Sequence, residues 1–181
     1  MINLIVTCAR NLEGETEDEL IDILDELGDS DVKISVSNMS GIITVQTKLD
    51  PIDVVRKMKK MLLDEPWSIR YCLRVIPIQN TIETKIDEIE KIILSMSDKI
   101  EEKESYKILI EKRNSDISSK EIITKVANKI KNKVSLDFPD KVILIEILGI
   151  VTGISVLKNS DILSLEKTKR SMSDQNRSFF Y

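Results

Sequence analysis

Apolar residues recur at two different periods in the first 78 residues, and the order in which those periods alternate limits the fold more than any other feature. Residues 2–8, INLIVTC, form a continuous apolar run that reads as a buried strand. From Glu15 to Leu27 the period lengthens. Leu20, Ile21, Leu24 and Leu27 share one helical face, and Gly28 follows as a stop. The first turn of that helix, Glu15-Thr16-Glu17-Asp18-Glu19, is acidic, as the helix dipole favours. Val32–Ser37 and Ile42–Lys48 alternate like strands around the turn Asn38-Met39-Ser40-Gly41. Asp50-Pro51 opens a second helix to about Leu63, with Ile52, Val55, Met58 and Leu62 inward, and Arg56, Lys57, Lys59 and Lys60 outward. Pro66 closes it, and Trp67–Ile76 reads as a long strand with Trp67 and Tyr71 in the core and Arg70 and Arg74 on the opposite face.

Strand, helix, strand, strand, helix, strand in that order predicts a ferredoxin-like N-terminal domain over residues 1–78. Pro77-Ile78-Gln79-Asn80 is the expected boundary. Beyond it, a helix is predicted from Thr84 to Ile100, a strand over Ser105–Arg113 and a helix over Ser119–Lys133. Strands over Lys141–Leu148 and Thr152–Lys158 meet at Gly149. The fold class is therefore α+β, with a second α/β domain over residues 79–162. From residue 163 to 181 the periodicity fades into a polar, basic stretch ending Phe179-Phe180-Tyr181, which reads as a disordered tail.

The chemistry available is narrow. The chain has no histidine, which removes the commonest general base and zinc ligand and every Ser-His or Cys-His nucleophile pair. Its five glycines form neither GxGxxG nor GxxxxGK[ST], so neither of those nucleotide cradles is present. Cys8 and Cys72 fall within apolar runs and read as small buried hydrophobes rather than as metal ligands. No catalytic residue, metal or cofactor is signalled, and the chain is expected to be a binder rather than an enzyme. The absence of a basic leader and of a long apolar run predicts a cytoplasmic location.

A net charge of −4 hides an asymmetry. Residues 1–66 hold 7 Lys/Arg against 14 Asp/Glu, whereas residues 105–181 hold 14 against 9. The basic half is the candidate contact surface for a polyanion. On a helical wheel, Ile122, Ile123, Val126, Ala127, Ile130 and Val134 fall in one arc, while Lys120, Lys125, Lys129 and Lys131 lie opposite with Glu121 as the single acid. Ser118 or Ser119 can cap that helix, whose first N–H groups suit a phosphate. Lys112 and Arg113 arrive at the same end from the preceding strand, one facing the helices and the other the far side. Glu146 interrupts the apolar strand KVILIEILG and needs a cationic partner, for which Lys112 or Arg113 would serve.

The segments YKILIEKRNSDISSKEIITKVANKI, VSLDFPDKVILIEILG and TGISVLK resemble a THUMP domain. With LDPIDVV and EPWSIRYCLRVIPI ahead of them, the chain is similar to archaeal and eukaryotic adaptors of tRNA acetylation. That resemblance implies tRNA binding at the acceptor end and the phosphate backbone, and presentation of tRNA to a separate acetyltransferase that makes N4-acetylcytidine. By motif, Lys112, Arg113, Ser119, Lys120 and Lys158 become RNA-facing candidates, alongside Lys125 and Lys129 from the wheel. Asn114 stands where relatives commonly have His, which alters a local hydrogen bond but leaves the cations in place. A protein–protein scaffold without direct RNA binding remains the alternative, supported by the acidic first helix and the aromatic terminus.

Overall fold

The structure, a computed structural model, describes residues 1–178. Its described residues form two sheets and five α-helices, divided between two compact units. One unit comprises residues 2–77 together with the chain from Ser160 onward, and the other residues 78–159.

In the first unit, β1 (Leu4–Thr7), α1 (Glu13–Glu26), β2 (Lys33–Val36), β3 (Ile42–Gln46), α2 (Pro51–Asp64) and β4 (Arg74–Pro77) follow the order read from the sequence. The strands lie in the order β2-β3-β1-β4 and every neighbouring pair is antiparallel. Strand alternation sends Leu4, Val6, Ile43 and Val45 to one face, where they meet Leu20, Ile23 and Leu24 of α1 and Val55, Met58 and Leu62 of α2. Burying each large aliphatic there contributes about 1.5–3 kcal/mol. Ile23, not Ile21, completes the inward stripe of α1, and Ile21 is exposed.

Three local devices set the ends of these elements. Asp50 caps α2 by accepting the Asp53 N–H at 2.9 Å, with Pro51 in the first helical position. After α1 the chain turns through Gly28 at φ 103°. The Gly28 N–H bonds the Asp25 carbonyl (2.9 Å) and the Asp29 N–H the Leu24 carbonyl (2.8 Å). The carbonyl of Gly41, at φ 74°, accepts the Cys8 N–H (3.0 Å), and a Cβ there would lie 2.7 Å from the Cys8 carbonyl oxygen. Cys8 and Cys72 are free and buried, and burial raises both thiols above their ordinary range.

Two expectations for this unit are corrected. The strand foreseen over Trp67–Ile76 begins only at Arg74. The Glu19 carboxylate takes the N–H groups of Arg70 (2.6 Å), Tyr71 (3.0 Å) and Cys72 (2.9 Å), so these donors never enter a ladder. Trp67 is consequently 64% exposed rather than core. The stretch from residue 163, expected to be a disordered tail, forms β9 (Leu163–Ser164) on the open edge of β4 and then α5 (Leu165–Ser178). Leu163 and Leu165 join the core, and Arg56 pairs with Asp161 at 3.1 Å just ahead of them. The expected Phe179-Phe180-Tyr181 surface lies outside the described residues.

The second unit is built from β5 (Asn80–Glu83), α3 (Ile86–Ser95), β6 (Tyr106–Arg113), α4 (Ser119–Ala127), β7 (Lys141–Leu148) and β8 (Val151–Leu157). Its sheet runs β5-β8-β7-β6, with β6 parallel to β7 and the other pairs antiparallel. A parallel pair needs a crossover, and α4 supplies it. Ile89 and Ile93 of α3, Ile122 and Val126 of α4, and Ile143, Ile145, Ile147, Ile154 and Val156 of the sheet form one core. β5 falls where the sequence reading placed a boundary, and α4 stops at Ala127, short of the expected Lys133. Among the described residues no helix is long and apolar enough to cross a membrane.

Candidate nucleic-acid interface

β6 and β7 run parallel, so Arg113 at the end of β6 lies beside Leu148 at the end of β7. Tyr106, Ile108 and Ile110 belong to the face packed under the helices, and Lys112 shares their parity. Its Nζ donates to the Ile117 carbonyl at 2.9 Å, one residue before the α4 cap. That bond holds the Lys112 charge at the start of α4. Ser118 is the cap: its Oγ accepts the Glu121 N–H at 3.2 Å. The N–H groups of Ser119 and Lys120 then open the helix without intrahelical partners. Lys112, Ser119 and Lys120 thus converge on one helix N-terminus, where dipole and side-chain charge have the same sign.

Arg113 points to the other face of the sheet. Its guanidinium lies 3.3 Å from the fully buried Glu146 carboxylate and 4.0 Å from Glu111. Glu146 therefore draws on Arg113 and not Lys112. The chain bends sharply after this pair, with Asn114 at φ 51°, a conformation its short amide side chain tolerates, and the Gly149 N–H bonds the Arg113 carbonyl at 2.9 Å.

The remaining candidates lie elsewhere. Lys125 pairs with Asp87 of α3 at 2.7 Å, and Lys129 pairs with Glu90 of α3. The Asp87 hydrogen bond raises the Lys125 ammonium, and the same bond holds Asp87 below its ordinary range. Both lysines are substantially neutralised by α3, a pairing foreshadowed only by the acids within I-D-E-I-E. Lys158 follows β8, whose Leu157 opposes Val142 near the start of β7. It sits at the opposite end of the sheet from Arg113, a separation of roughly 20 Å at ~3.3 Å per strand residue. One patch gathers Lys112, Ser119 and Lys120. Lys158 stands apart.

The β5-β8-β7-β6 sheet and the crossover helix that carries this patch fall almost wholly within a stretch that a family model matches. Residues 83–157 match the THUMP domain. Solved structures share the fold of most of the chain. PH1313 from Pyrococcus horikoshii Ot3 aligns with a TM-score of 0.62 at 16% identity, covering 87% of this chain and 55% of that one. TrmN from Thermus thermophilus gives 0.62 at 13% identity, with coverage of 86% and 45%. A 4-thiouridine synthetase in complex with RNA, with ATP bound, gives 0.53 at 12% identity, with coverage of 87% and 42%. No curated protein matches the chain by sequence. The chain spans about half the length, or less, of these structures.

These likenesses correct the expectation of a non-enzyme. The fold is shared with an enzyme, a 4-thiouridine synthetase in complex with RNA. The missing histidine and glycine-rich loop describe only the residues present, and the alignment with the synthetase covers 42% of that chain.

Proposed function

We propose that this chain is the tRNA-holding part of a tRNA-modifying system, and that its THUMP domain grips tRNA through phosphates at the N-terminus of α4. The observation that carries this reading is the Lys112 Nζ–Ile117 carbonyl bond, which sets a fixed cation beside the open N–H groups of Ser119 and Lys120. The THUMP match and the RNA bound to the synthetase of like fold support the same ligand class. Contacts of this kind position a nucleic acid without reading its sequence, so the tRNA acceptor end would be held by shape and backbone charge. The first unit, whose antiparallel order and two helices fit a ferredoxin-like domain, would be the second part of that tRNA-holding chain. Among catalytic partners, the acetyltransferase that makes N4-acetylcytidine is the one the sequence resemblance favours, and the chain would present tRNA to it.

The test is fluorescence anisotropy of labelled tRNA across a salt series. Each exposed phosphate contact contributes about 0.7–0.9 to the slope of log K against log salt. Replacing Lys112 and Lys120 by Ala should lower the slope by about 1.4–1.8 and weaken different tRNAs alike. Lys125→Ala with Lys129→Ala should change it much less, because Asp87 and Glu90 already balance those charges. Equal losses from both pairs, or none from the first, would refute the assignment. Stimulation of the acetyltransferase by the wild-type chain, lost in the Lys112/Lys120 variant, would identify the catalytic unit.

A further inference from the structure

Within the first unit, α1, the end of α2 and the segment Glu65–Tyr71 enclose an open cleft of about 700 Å³. Its α1 wall is a row of like charges. Asp18, Asp22 and Glu26 repeat at i, i+4, i+8, with Glu15 and Glu19 on the same side. Asp64 and Glu65 close one end, and Arg70 is the single cation of the lining.

The carboxylates differ in what they already do. Glu19 is committed to three backbone N–H groups, and Asp64 to Lys60. Asp18, Asp22 and Glu26 make no side-chain hydrogen bond or ion pair among the described residues. Like charges four residues apart weaken a helix, so the free protein carries this row at a loss.

An exposed aromatic residue also lines the cleft. Trp67, the only tryptophan of the chain, stands 64% exposed in the wall facing α1, with Tyr71 beside it. Ser68, in the same wall, has a buried Oγ without a hydrogen-bond partner. An indole face and a row of free carboxylates are the two groups that bind a guanidinium best, by cation–π contact and by paired N–H···O bonds. The row from Asp18 to Glu26 extends about 12 Å along α1, which is too long for one ion. Among the described residues no acidic group is gathered as a metal site. RNA is excluded by sign.

We propose that this cleft docks an arginine-rich segment of a protein partner, with its cations along Asp18, Asp22 and Glu26 and one guanidinium over Trp67. The site is independent of the RNA grip on the other unit, and its failure would leave that reading untouched.

The test uses the whole chain and reads Trp67 emission, supported by anisotropy of a short fluorescein-labelled peptide of alternating arginine and alanine. A peptide with glutamine for arginine is the control. The arginine peptide should quench Trp67 and bind in a salt-sensitive manner, and the control should not. The triple variant Asp18→Asn, Asp22→Asn, Glu26→Gln should bind the arginine peptide about tenfold more weakly or worse, with tRNA affinity unchanged. These exposed neutral replacements relieve repulsion within α1, so the variant should fold, which circular dichroism checks. The proposal is overturned if neither peptide binds, if both bind alike, or if the triple variant retains full affinity. It is also overturned if tRNA alone alters Trp67 emission, since the cleft would then face RNA.

Discussion

Glu19 offers the sharpest check on how the first unit is held together. Its Oε1 accepts the Arg70 N–H at 2.6 Å, and its Oε2 accepts those of Tyr71 at 3.0 Å and Cys72 at 2.9 Å. Three successive donors therefore turn toward one carboxylate and away from strand pairing. A hydrogen bond to a charged group contributes about 1.5–3 kcal/mol net. The Arg70 N–H is exposed and rehydrates when the carboxylate is removed, so it adds little. The Tyr71 and Cys72 bonds are partly buried and carry most of the effect, and relief of repulsion within the α1 row returns a few tenths of a kcal/mol. Glu19→Ala should thus destabilise this unit by about 2–3 kcal/mol. Glu19→Gln should lie between, because one amide oxygen can serve Tyr71 and Cys72 while its NH2 meets the Arg70 N–H donor to donor. With a urea slope of about 2 kcal/mol/M, the Ala variant should shift the midpoint by roughly 1 M. Trp67 fluorescence is the natural assay, since the chain's single tryptophan sits three residues from the first of these bonds. Glu15→Ala is the control, a carboxylate of the same face without these partners. Equal midpoints for Glu19→Ala and Glu15→Ala would refute the reasoning, because charge alone would then account for the effect.

Two further outcomes follow from the same unit. Burial pushes Asp29 upward, but the Thr47 hydroxyl at 2.5 Å and the Lys48 N–H at 2.9 Å outweigh it and hold the carboxyl below its ordinary range. A depressed folded-state pKa stabilises above the unfolded value, near pH 4, and that contribution is lost as pH falls through the folded value. Asp29→Asn should therefore lower stability at neutral pH and flatten the acid limb of a urea-midpoint profile below about pH 4; an unchanged profile would show that these bonds do not persist. Gly41→Ala combines φ 74° with a Cβ placed 2.7 Å from the Cys8 carbonyl oxygen. It should cost about 2–4 kcal/mol in the same urea assay, and a near-neutral result would mean the β2–β3 turn relaxes easily.

Elements whose apolar residues repeat over several turns were legible from sequence, and elements defined by pairing partners were not. α1 and α2 were placed by Leu20, Leu24, Met58 and Leu62, and all four are buried. β9 is two residues long and exists only because β4 presents an open edge to Leu163, which no local pattern reveals. Trp67–Leu73 alternates like a strand, yet a single carboxylate from α1 claims its N–H groups. The α1 register slipped by choosing Ile21 over Ile23, because a helix with apolar residues at both positions offers two overlapping stripes.

The candidate site shows the same divide in electrostatic form. A helical wheel over residues 119–134 displays Lys120, Lys125, Lys129 and Lys131 on one face and cannot show what lies across from it. In the fold, α3 sets Asp87 against Lys125 and Glu90 against Lys129, so the apparent one-sign face is largely balanced along its length. Lys158 is carried away for a different reason, since the antiparallel return of β8 delivers its end beside the start of β7. What survives is local in sequence: Lys112, Ser118, Ser119 and Lys120 lie within nine residues, and their convergence needs only a strand, a short loop and a helix start. Charges that depend on local geometry persist as free charge, whereas those facing a second helix are matched by it. The field that steers an anion to this unit should therefore be centred at the head of α4 rather than spread along it, which is the distinction the two lysine pairs are designed to measure.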